Sequence, residues 1–146
     1  MNFLQPRIKM ALGTACFIAY HGSPDKPVPT SAITAHYNMK PRALEQIIQK
    51  LSRKGILQAT RGKNGGYFIA TPTNITLANI AQTIIENDDN AANKTSQKGF
   101  HDISPHLIPN LKEAQTAWLN SLSQISLAEI VRNMTSDTLQ DFDFCI

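Results

Sequence analysis

Pro41-Arg42-Ala43-Leu44-Glu45-Gln46-Ile47-Ile48-Gln49-Lys50-Leu51-Ser52-Arg53-Lys54-Gly55, continued by Ile56 to Thr60 and then Arg61-Gly62-Lys63-Asn64-Gly65-Gly66-Tyr67, decides the fold. Leu44, Ile47, Ile48 and Leu51 fall at i, i+3, i+4 and i+7, one apolar stripe of a helix. The opposite face carries Arg42, Gln46, Gln49 and Arg53 at steps of four, three and four residues, with Glu45 beside them. Such side chains hydrogen-bond base edges and phosphates. Gly55 stops the helix, and Ile56 to Thr60 can extend. Asn64-Gly65 is a dipeptide that tolerates the positive φ angles of a two-residue hairpin turn. A helix that can read nucleic acid, followed by a hairpin wing with a small, cationic tip, is the expected arrangement.

Working outward, the segment before Pro41 reads as a first helix over Gln5 to His21, with Ile8, Ala11, Leu12, Ala15 and Ala19 on one face. Gly22-Ser23-Pro24 ends it. Thr30 or Ser31 is expected to cap a short helix to Tyr37, and Asn38 to Lys40 form the turn before Pro41, which suits a first helical position because no N–H is needed there. Helix, short turn and helix make a helix-turn-helix. After the wing, Tyr67 to Ala70 is the return strand and Thr71-Pro72 closes it. Thr76 is expected to cap a fourth helix to about Glu86, with Ile75 and Ile80 as a hydrophobic staple.

Asn87 to Gly99 is polar and reads as a mobile loop. Ser104 and Pro105 open a long helix whose regular part is expected to start near Pro109. Its seam is Leu111, Ala114, Trp118 and Leu122. Ser126 with Glu129 forms a capping box, and Ile125 with Ile130 a second staple, for a last helix over Leu127 to about Met134. The expected fold is therefore mainly α with a small β-hairpin. Its parts are a winged helix-turn-helix domain over 1–86, a flexible loop over 87–104, a dimerisation helix and short C-terminal helix over 105–134, and an acidic tail over 135–146.

The net charge of +3 conceals an asymmetry. Residues 1–70 hold ten lysines and arginines against Asp25 and Glu45, a surplus of about +8, which leaves about −5 for the rest. A front half of this kind suits a polyanion. The two cysteines, Cys16 and Cys145, form neither a disulfide framework nor a metal-ligand spacing, which fits a reducing cytoplasm. The apolar run Met10 to Ala19 behind Arg7 and Lys9 is a helical stripe without a signal-peptidase site, and no stretch approaches the roughly 20 apolar residues of a membrane span.

These residues resemble the Rrf2 family of winged-helix transcription regulators over about residues 3–132. The resemblance rests on Leu44-Glu45-Gln46, the wing from Arg61-Gly62 to Gly65-Gly66-Tyr67, Ile75-Thr76-Leu77-Ala78, and Ser126-Leu127-Ala128-Glu129, in the family's order. It implies a winged helix and a long helix that pairs with its twin in a homodimer. Cluster-binding members carry three cysteines in the region matching Asn87 to His106, where this chain has none. His106 lies where one member uses a histidine ligand, but a single histidine without thiolates cannot hold an iron–sulfur cluster of the usual ligation. No cofactor and no metal site are therefore expected. Lys40 and Arg42 stand where relatives often have smaller polar residues, so base preference is not inherited.

The expected DNA-binding set is Arg42, Glu45, Gln46, Gln49, Arg53, Arg61, Gly62, Lys63, Asn64 and Gly65. Glu45 is either a cytosine reader or half of a helical salt bridge to Arg42 or Lys50. His21, His36 and His101 read as isolated surface residues, Cys16 as a buried small hydrophobe, and Trp118 as a core or seam residue. The expected function is a homodimeric repressor on duplex DNA, sensing through a small ligand, a partner protein or a thiol. A winged helix that binds a protein partner and no longer reads DNA is the alternative. No catalytic constellation has supporting spacing.

Overall fold

The structure is a computed structural model that describes residues 5–92 and 104–134. The elements are α1 (Pro6–His21), α2 (Thr30–Tyr37), α3 (Pro41–Arg53), β1 (Gln58–Thr60), β2 (Gly66–Phe68), a 3-10 turn at Pro72–Asn74, α4 (Leu77–Ala92), α5 (Ser104–Leu122) and α6 (Leu127–Asn133). The core is assembled from Ile8, Ala11, Ala15 and Ile18 of α1, Ile33 of α2, Leu44, Ile47, Ile48 and Leu51 of α3, Ile80 and Ile84 of α4, and Leu127 of α6. Each large side chain so buried contributes on the order of 1.5–3 kcal/mol against an exposed position.

α1 carries more than the single face expected of it. Gly13, Thr14, Cys16, Phe17 and Ile18 are buried alongside Ile8, Ala11 and Ala15, whereas Leu12 and Ala19 are only half-buried. α1 packs against α3, α4, α6 and β2, so a helix surrounded on most sides has little need of a polar face. α2 begins at Thr30, one residue before the expected helix, with Pro29 in the cap position and no side-chain cap. It ends at Asn38, whose φ of 52° is the left-handed conformation that a short amide side chain tolerates. α3 opens with Pro41 after Lys40 and closes on Gly55 at φ 74°. There the Ile56 N–H donates to the Leu51 carbonyl at 3.0 Å and the Gly55 N–H to that of Ser52 at 3.0 Å, the paired bonds of a Schellman stop.

The wing departs from the two-residue turn expected at Asn64-Gly65. Neither residue has a positive φ; Gly62 does, at 119°, and the Gly65 N–H donates to the Gly62 carbonyl at 3.0 Å. Register runs Gln58↔Phe68, Ala59↔Tyr67 and Thr60↔Gly66, so Arg61 to Gly65 form the whole loop. Both strands are shorter than expected. Gln58 joins their far ends: its Nε2 donates to the Gly55 carbonyl at 3.0 Å and its Oε1 accepts from the Ala70 N–H at 2.9 Å. Val28 and Tyr67 exchange backbone hydrogen bonds at 2.8 Å each, which anchors the hairpin to the segment before α2.

Thr76 caps α4 as expected, with its Oγ1 accepting from the Asn79 N–H at 3.2 Å while Asn79 Oδ1 accepts from the Thr76 N–H at 2.8 Å. The Ile75 and Ile80 side chains are both buried. α4 does not stop near Glu86 but continues to Ala92, through the first part of the run expected as a loop. Adding turns to an existing helix avoids the cost of nucleation, and no proline or glycine interrupts the sequence before Gly99. The remainder of that run and the acidic tail lie outside the described residues. α5 is helical from Ser104, ahead of Pro109. The Asn110 Nδ2 donates to the His106 carbonyl at 2.9 Å inside that first part of the helix. Ser126 caps α6 by accepting from the Glu129 N–H at 3.1 Å, and the Leu77 and Leu127 N–H groups donate to the Ile125 and Ile75 carbonyls, lacing the starts of α4 and α6 together.

Candidate nucleic-acid interface

α3 separates its two faces as the sequence spacing requires. Leu44, Ile47, Ile48 and Leu51 are buried, while Arg42, Glu45, Gln46, Gln49 and Arg53 are all exposed. At the wing tip Arg61, Gly62, Lys63 and Asn64 are exposed and Gly65 is half-buried. Gln49, Arg53 and Arg61 line one groove between α3 and the wing, together with Thr60 and Tyr67, which the expected set omitted. Arg42, Glu45 and Gln46 lie earlier on α3 and outside that groove. Ser52 also lines it, with its Oγ buried and without a hydrogen-bond partner among the described residues. Its neighbours in sequence gave no sign of this, since a serine between Leu51 and Arg53 reads as a helix-surface residue.

Glu45 stands exposed on α3 between Arg42 and Gln46. The cation after α3, Lys54, reaches Glu86 of α4, Nζ to Oε2 at 2.8 Å. That hydrogen bond from Lys54 holds the Glu86 carboxyl below its ordinary range.

His21 and His36, isolated in sequence, meet the same Phe17 ring, at centroid distances of 4.5 and 5.1 Å. Burial, the nearby His36 and Lys26 hold the His21 imidazole below its usual pKa. His106 is exposed on α5, and His101 lies outside the described residues. Cys16 is buried in α1, and burial pushes its thiol up to about 11. Because the thiolate is the nucleophile, native Cys16 is expected to resist iodoacetamide at neutral pH and to react only after denaturation, as peptide mass spectrometry would register. Rapid native alkylation would show that α1 opens.

No group of three or more histidine, cysteine or acidic side chains suited to a metal occurs among the described residues, and no described helix is long and apolar enough to cross a membrane. An iron–sulfur cluster does not fit the chain's donors: Cys16 is sealed in the core, and no cysteine lies between Asn87 and His106.

The family model for Rrf2, described as an iron-dependent transcriptional regulator, matches residues 4–133. The chain belongs to the Rrf2 family. It is 34% identical over 107 residues to an HTH-type transcriptional regulator of Neisseria meningitidis serogroup A, covering 71% of each chain. It is 27% identical over 120 residues to the transcriptional regulator IscR of Yersinia enterocolitica, covering 80% of this chain and 71% of the other. Among solved structures, CymR, the global cysteine regulator of B. subtilis, superposes with a TM-score of 0.64 at 18% identity, over 92% of this chain and all of that one. A transcriptional regulator from Lactobacillus plantarum gives 0.68 at 17% identity, over 93% and 94%. The solved structures support the winged-helix fold, and the sequence relatives make this Rrf2 chain a transcriptional regulator.

Proposed function

We propose that this Rrf2 regulator is a cytoplasmic repressor that binds a pseudo-palindromic operator in duplex DNA as a homodimer. The observation that carries the reading is the exposed face of α3, bearing Arg42, Glu45, Gln46, Gln49 and Arg53, whose last two residues share a groove with Arg61 of the wing. α3 enters the major groove, where Gln46 and Gln49 offer the paired donor and acceptor that adenine requires and the exposed Glu45 accepts from cytosine N4. Arg53 and Arg61, which share the groove between α3 and wing, hold the sugar-phosphate backbone. Gly62, Asn64 and Gly65 keep the tip small enough to approach it, with Lys63 projecting there.

The dimer is formed by α5. Leu107, Ile108 and Leu111 are exposed at 43%, 43% and 48%, and Ala114 is also exposed, whereas Trp118 and Leu122 are half-buried against the protomer's own core. The outer part of the seam is therefore the part left for a second copy. Two-fold symmetry then sets half-sites about one helical turn, or a multiple of it, apart.

Mobility shifts on genomic promoter fragments at several salt concentrations test the reading. Arg61→Ala and Lys63→Ala are each expected to weaken specific and unrelated duplexes alike and to lower the salt slope by roughly one unit per lost phosphate contact. Wild-type affinity and slope in both variants would remove the wing from the interface. Absence of any operator among the fragments would leave the protein-binding alternative in its place.

A further inference from the structure

A second cleft, of about 390 Å³, lies between the end of α3, the 3-10 turn and the start of α4. That volume falls within the roughly 300–1,000 Å³ of small-molecule sites. Its walls carry one cation and one anion, Lys54 and Glu86, joined at 2.8 Å. Ile56 and Ile75, both buried, supply apolar surface, and Thr71 and Asn74 add a hydroxyl and an amide. We infer that this cleft binds a free amino acid, with the ligand's carboxylate on the Lys54 ammonium, its ammonium on the Glu86 carboxylate, and its side chain against Ile56 and Ile75. The inference rests on the proposed regulator function only for its consequence, because it names the class of effector.

The charges select the ligand. Lys54 and Glu86 are 52% and 44% exposed, so their pairing is screened by water and contributes little. A zwitterion that enters between them exchanges one weak pair for two. A dicarboxylate would satisfy Lys54 and be repelled by Glu86, and a diamine the reverse. Glu86, a half-exposed carboxylate, is anionic at neutral pH, as this mode requires. The ligand would also reach the operator surface mechanically. Lys54 is the C-cap of α3, the helix that bears Arg42 to Arg53, and Glu86 belongs to α4, so occupancy changes how the reading helix is held against its neighbour.

The test is ligand-observed NMR on the full chain without DNA, titrated with each common L-amino acid to about 10 mM, a range that detects even the 1 mM affinities worth about 4 kcal/mol. At least one should bind saturably, while its carboxamide and its N-acetyl derivative each bind roughly two- to fivefold more weakly, the loss of one partly exposed ion pair. Lys54→Met should abolish the preference for acid over amide, and Glu86→Gln the preference for free over acetylated amine. No binding by any amino acid, or preferences that survive both substitutions, would overturn the site. Operator affinity should then change about fivefold or more on saturation with the bound amino acid. An unchanged affinity would overturn the effector role. Because the titration contains no DNA, a chain that bound no operator at all would refute the proposed function and leave this site standing.

Discussion

Leu107→Glu combined with Leu111→Glu is expected to give a folded monomer whose operator affinity is lower by roughly 10² to 10⁴-fold, because the two half-sites are then bound as separate events rather than through one linked pair. The choice of residues follows from exposure. Both leucines are more than two-fifths exposed in the protomer, so a carboxylate at either position meets water and leaves the core intact. In the dimer the same carboxylates would be buried without a partner, which is strongly disfavoured. Trp118→Glu and Leu122→Glu would be a poorer test, since both side chains pack partly against the protomer's own core and their loss would confound association with folding. Sedimentation velocity reads the mass, and circular dichroism the fold. A double variant that still sediments as a dimer would move the interface away from the start of α5, and a monomeric wild type at micromolar concentration would remove the dimer altogether.

The contrast between those two pairs of residues marks what the sequence could show and what it could not. Periodicity locates amphipathic elements well: the stripe of α3 became buried residue by residue, and Arg42, Glu45, Gln46, Gln49 and Arg53 lie on its exposed face. Local capping chemistry was equally legible, because Thr76, Ser126 and Gly55 act through backbone groups within a few residues. Periodicity says nothing of which neighbour covers a stripe, so the α5 seam divides between core and solvent in a way spacing could not reveal. It also misleads for α1, where burial on most sides leaves a weak pattern. The wing turn failed for a related reason. Asn-Gly is permissive of positive φ but does not demand it, and the pairing of Thr60 with Gly66 leaves a longer loop in which Gly62 takes that conformation. Groups joined only by the fold, such as Thr60 and Tyr67 in one groove with Arg53 and Arg61, or His21 and His36 on one phenylalanine, carry no local signal.

The last glycine of the wing is where that distinction has its largest consequence for stability. Gly66 lies in β2 without a positive φ. Its requirement is close approach. A Cβ at Gly66 would collide with the Val28 carbonyl oxygen and stand 2.8 Å from the Pro29 nitrogen, all backbone atoms with no side chain to swing aside. Gly66→Ala must therefore separate β2 from the segment before α2, and with it break the reciprocal Val28–Tyr67 hydrogen bonds. Overpacking of this kind costs about 1–3 kcal/mol, and two lost hydrogen bonds add about 0.5–1.5 kcal/mol each, so the expected destabilisation is about 2–6 kcal/mol. For a chain of this size that lowers Tm by roughly 5 to 20 °C. Lys63→Ala, at an exposed position on the same hairpin, should leave Tm unchanged while weakening DNA binding, and Gly66→Ala should do both harms. Differential scanning fluorimetry of the two variants separates the roles. A wild-type Tm for Gly66→Ala would mean that the wing is not held against Val28, and the placement of Arg61 beside Arg53 would lose its structural support.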